Sequence, residues 1–82
     1  MNNTEKELEK LFNQMQNKLA EGISTILRSI DTKEKRLNGL KSMKNVPSID
    51  TLRRVHEIGI KKEDYETCEA VKEYCKENGF KL

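Results

Sequence analysis

His56, Cys68 and Cys75 are the side chains with the most obvious capacity for chemistry in this chain. Together they could be drawn as three zinc ligands, and His56 with either cysteine as a thiolate nucleophile and its base. The spacing suits neither. It matches no zinc signature, and a structural site needs a fourth ligand. A cysteine nucleophile needs an orienting residue and an oxyanion device, and no glycine-rich loop or neighbouring motif supplies one. No paired carboxylates stand in an apolar setting that would raise a pKa, and no phosphate-binding loop is present. No catalytic residue, metal ligand or cofactor site is therefore expected, and the chain reads as a non-enzyme. Cys68 and Cys75 lie seven apart in a helical pattern, which separates their Cα atoms by roughly 10 Å and keeps them from pairing. Two unpaired thiols suit a reducing compartment and serve as small apolar fillers. His56 is the chain's one histidine and stands beside Glu57.

The elements that must position these residues read as helices from end to end. Apolar residues at Leu8, Leu11, Phe12, Met15, Leu19, Ile23, Ile26, Leu27 and Ile30 recur at steps of three and four, which predicts one long amphipathic helix over about 4–30, capped by Thr4 with Glu7. Its length of roughly 40 Å exceeds what the shorter helices can cover. Gly22 interrupts that helix beside its apolar stripe, where a missing side chain admits close approach of another helix or marks a weak point. Asp31 with Glu34 predicts a second cap and a helix over about 32–44, bearing Leu37, Leu40 and Met43 before Pro47 breaks the pattern. Ser48 caps a third helix, about 48–58, with Ile49, Leu52, Val55 and Ile58 on one face and Gly59 as its left-handed stop. A fourth, about 62–78, turns Tyr65, Cys68, Val71 and Cys75 inward and ends at Asn78-Gly79, with Phe80 folding back on its last turn. The fold class is all-α: one small domain, 1–82, of about four helices, with a long N-terminal helix and a C-terminal helical hairpin.

At 82 residues, with 37% charged and 34% hydrophobic positions, the chain is expected to have a thin core and to gain stability from partners or from its own copies. A homo-oligomer is expected. No apolar run approaches the roughly 18 residues of a membrane span and charge runs throughout the first thirty positions, so a cytoplasmic location is expected. Charge is unevenly spread. Residues 31–62 hold nine bases and four acids, and residues 63–82 hold six acids and three bases.

The stretch IDTLRRVHEIGIKKEDYETC, residues 49–68, has the outline of a helix-turn-helix. Its second helix opens Glu63-Asp64 and continues with Glu66, Glu69 and Glu73, a face that phosphate would repel where a recognition helix must approach it. The hairpin is read as packing and the glycine as a cap. Lys33, Arg36, Lys41, Arg53 and Arg54 belong to the basic middle. They could hold nucleic acid or an anionic surface, but stacking or inserting residues are not interleaved with them. The preferred reading makes them a positive rim around an apolar docking face on the first helix, where Phe12, Met15, Leu19 and Ile23 are the expected contact residues.

Taken whole, the opening MNNTEKELEKLFNQMQNKL, the basic centre DTKEKRLNGLKSMKNVPSID and the tail CEAVKEYCKENGFKL resemble the lysis-inhibition accessory proteins of T-even bacteriophages, products of the third rapid-lysis locus and small cytoplasmic antiholins. The resemblance implies a protein that binds the cytosolic part of a phage holin and delays lysis. It assigns no residue a role. The alternative drawn from the residues alone is a small helical nucleic-acid-binding regulator using the basic middle.

Overall fold

The computed structural model describes residues 2–82. Four helices follow in chain order: α1, Asn2–Arg28; α2, Lys33–Lys41; α3, Ile49–Lys61; α4, Tyr65–Glu77. No strand occurs among the described residues. The helix α4 is the hub. It packs against both α2 and α3, while α1 lies along α3 and only grazes α4. The core gathers where these faces converge: Ala20, Ile23 and Leu27 from α1, Leu37 and Leu40 from α2, Leu52 and Val55 from α3, and Ala70, Val71, Tyr74 and Cys75 from α4. The first half of α1 has no such company and runs out from the body, giving an elongated molecule of 47 × 26 × 21 Å.

The helix ends are set by local chemistry that agrees with the sequence in some places and corrects it in others. Thr4 lies inside the first turn of α1 instead of capping it. The cap of α2 is Thr32 and not Asp31; its hydroxyl accepts from the Lys35 amide at 3.2 Å. Ser48 does cap α3, accepting from the Thr51 amide at 3.2 Å. The end of α4 is a Schellman closure: Phe80 N–H donates to the Cys75 carbonyl at 2.8 Å and Gly79 N–H to that of Lys76 at 3.3 Å, with Gly79 at φ 74°. Tyr65, expected inside, is 56% exposed at the open start of α4.

Gly59 is the main correction. The helix does not stop there but continues to Lys61, and the left-handed residue in the turn is Glu63, at φ 56°. What Gly59 supplies is proximity. A Cβ at this position would lie 2.7 Å from Cys68 Sγ and 3.3 Å from the Asp64 carbonyl oxygen, so the missing side chain is what lets α3 and α4 close on each other. Gly59→Ala gains up to about 1 kcal/mol of helix propensity but overpacks a buried contact at about 1–3 kcal/mol. The expected net loss is about 1 kcal/mol, a fall in Tm of about 5 °C. Adding Cys68→Ala should return part of that loss in a double-mutant cycle. A Gly59→Ala Tm at or above wild type would mean that the thiol steps aside freely.

Candidate protein-docking face

The long apolar stripe of α1 is two faces with different fates. One side, Ala20, Ile23 and Leu27, is buried in the core. The other is open: Phe12 is 55% exposed, Met15 67% and Ile26 64%, and Leu8, Leu11 and Leu19 are half-exposed or more. Three grooves run along this open side. One is lined by Leu8, Leu11, Phe12 and Met15, a second by Leu19, Met43 and Val46, and a third by Ile26, Ile30, Gly39 and Met43. The open apolar side chains from Leu8 to Ile26 make a track of about five helical turns along α1, longer than the scattered single apolar residues that any protein surface carries.

Of the four apolar residues expected to contact a partner, Phe12, Met15 and Leu19 stand on this track. Ile23 lines two of the grooves, but at 6% exposure most of it belongs to the core. On the helix surface position 23 lies within about 40° of positions 12 and 19, so angle alone does not separate them; Ile23 is covered because, with Ala20 and Leu27, it lies where the shorter helices converge, while Phe12, Met15 and Leu19 stay open. Leu8, Leu11 and Ile26 join the track by the same periodicity. Val46, exposed in the α2–α3 connection, lies outside any helical pattern and gave no signal in the sequence.

The five basic residues are each engaged within the chain. Lys33 pairs with Glu73 at 3.4 Å and Lys41 with Glu77 at 2.8 Å, so α2 and α4 are clasped across their opposite charges. Arg36 is 7% exposed, and this corrects its reading as a rim residue. Its Nε donates to the Ile30 carbonyl at 2.8 Å and its Nη1 to Asp64 Oδ1 at 2.6 Å and Thr67 Oγ1 at 2.9 Å. Arg53 donates to the Lys81 carbonyl at 3.2 Å. Arg54 fastens α1 to α3: it pairs with Asp50 at 3.2 Å and donates to Asn17 Oδ1 at 2.7 Å and to the carbonyl and side-chain oxygens of Asn13, both at 3.2 Å. Thr51 adds a second tie by donating its hydroxyl to Gln16 Oε1. These anchors hold the middle of α1 by its polar side and leave the apolar track facing away.

The residues suited to chemistry are not assembled for it. The Cys68 thiol donates weakly to the backbone carbonyl of His56 at 3.5 Å and so leaves the imidazole aside. Burial pushes both thiols above their ordinary pKa; the Asp64 charge adds to this at Cys68, and Arg53 opposes it at Cys75. Thiols held in the protonated form are poor nucleophiles. Among the described residues no three of His, Cys, Asp or Glu converge as a metal-binding group, and no helix is long and apolar enough to cross a membrane.

No protein-family model matches the chain, and no match to it was found among curated proteins or among solved structures.

Proposed function

We propose that this chain is a non-catalytic, protein-binding regulator whose working surface is the open track of α1, and that it acts as a cytoplasmic antiholin by docking the cytosolic segment of a phage holin. The observation that carries the docking reading is the uncovered run from Leu8 to Ile26 on a helix otherwise pinned by polar ties. The antiholin identity rests on the whole-chain resemblance. A short amphipathic helix laid along such a track is a common mode of peptide recognition. Action would be stoichiometric: a protein that binds the unassembled holin better than the assembled one withdraws it from the growing assembly. The nucleic-acid alternative is the less favoured reading, because Lys33, Arg36 and Lys41 pair with acids of the same chain.

Phe12→Glu and Met15→Glu test the reading. Both positions are more than half exposed, so folding should be retained, while binding of a synthetic holin cytosolic segment should weaken by about 30-fold or more, as expected for removal of a central apolar contact worth about 2 kcal/mol. Overproduction of either variant during infection should no longer delay lysis. Wild-type affinity together with wild-type lysis timing in both variants would end the proposal.

A further inference from the structure

The open apolar residues of α1 follow one another at steps of four and three: Leu8, Phe12, Met15, Leu19, a gap at Gly22, and then Ile26. This is the seam of a left-handed coiled coil. A Cβ built on Gly22 meets nothing within 4 Å, so the gap faces solvent and serves no contact within the chain. We infer that the resting occupant of the seam is α1 of a second copy, laid antiparallel, with Phe12 of each copy seated in the notch at Gly22 of the other. The inference rests on the reading of this track as a docking surface and names the partner it takes when no holin is present.

Self-complementarity favours this occupant. In the antiparallel register Leu8 meets Ile26, Phe12 meets Gly22 and Met15 meets Leu19, and the two-fold axis repeats each layer, as an isologous interface requires. The bulkiest residue of the seam thus faces its only missing side chain. A parallel pair would instead stack Phe12 on Phe12 and leave Gly22 opposite Gly22. The area is adequate as well. Half or more of each large side chain is open, which places roughly 600 Å² of apolar surface per copy in the pairing, about 1,200 Å² in all, above the roughly 1,000 Å² expected of a specific interface. The edges of the seam carry few charges, chiefly Glu9 and Lys18, so apolar burial holds the pair and added salt should change it little. A holin segment must then displace the second copy, which makes binding depend on protein concentration.

Sedimentation equilibrium of the full chain tests this. Wild type is expected as a dimer, and Gly22→Phe, which sets two phenyl rings against each other, as a monomer of unchanged helicity. Phe12→Ala combined with Gly22→Phe moves the ring to the other side of the same layer and should restore the dimer. Mixing Leu8→Cys with Ile26→Cys under oxidation should give a disulfide between the two variants that neither gives alone; a Leu8→Cys homodimer would indicate the parallel arrangement and overturn the register. A wild-type chain that stays monomeric at high concentration yet binds the holin segment overturns self-pairing and leaves the docking reading standing. A chain that does neither removes both.

Discussion

Ile23→Asp is expected to lose most or all of its folding cooperativity at room temperature, whereas Leu19→Asp, one turn earlier on α1, is expected to melt close to wild type. The two positions are indistinguishable as members of one sequence stripe and differ only in what covers them. Ile23 is 6% exposed and packed in the core cluster, while half of Leu19 is open to water. An aspartate at position 23 would forfeit the packing of a buried aliphatic side chain, worth about 2–5 kcal/mol. It would also bury a carboxylate with no cation facing it, adding several kcal/mol or forcing the group to protonate. A small domain holds about 5 kcal/mol of stability in total, so the sum removes most of it. Urea titrations followed by circular dichroism at low micromolar concentration, where self-association contributes least, give the comparison. Ile23→Ala should fall between the two. Similar midpoints for Ile23→Asp and Leu19→Asp would mean that α1 does not divide into a covered and an open side.

That division marks where the sequence stops being informative. Periodicity shows that α1 is a helix with apolar residues on one broad side, because three-and-four steps are a property of the chain itself. Which part of that side is covered depends on where α3 crosses, and this is set by ties such as Arg54 to Asn13 and Asn17 between residues far apart in sequence. The end of α4 was legible because a Schellman closure is local, with Asn78-Gly79 sufficient to specify it. Gly59 was misread for the opposite reason. A glycine that ends a helix and one that lets a second helix approach look alike until Cys68 is placed against it. The charge asymmetry has part of its answer inside the molecule, since Lys33 pairs with Glu73 and Lys41 with Glu77 of α4. A polarity that suggested an external docking partner is partly satisfied within the fold, and the open apolar track is left as the feature that still calls for one.

Arg36→Ala is expected to cost about 3–5 kcal/mol, the usual result of removing one member of a buried ion pair, and to lower Tm by more than 10 °C or so. The guanidinium joins three parts of the chain: the α1–α2 connection through the Ile30 carbonyl, its own helix α2, and the start of α4 through Asp64 and Thr67. Without it, Asp64 is left partly buried with its nearest countercharge gone, and its Oδ2 already has no hydrogen-bond partner among the described residues. Arg36→Lys should recover little, because one ammonium cannot reproduce the planar fork that reaches all three acceptors. Combining Arg36→Ala with Asp64→Ala should recover more, because the unpaired carboxylate leaves along with its partner. The pH dependence separates this account from loss of packing alone. Burial by itself would raise the Asp64 carboxyl, but the neighbouring Thr67 hydroxyl and amide and the Arg36 guanidinium outweigh it and hold the group below its ordinary value. A carboxyl depressed in the folded state gives stability that is fully present above its unfolded pKa and is lost as pH falls through its folded pKa. Removal of Arg36 takes away part of that depression and leaves the part due to Thr67, so the stability gap between wild type and variant should narrow as pH is lowered from 7 into the range below ordinary carboxylate values. A gap that stays constant across that range would show that Arg36 contributes through shape and not through its charge on Asp64.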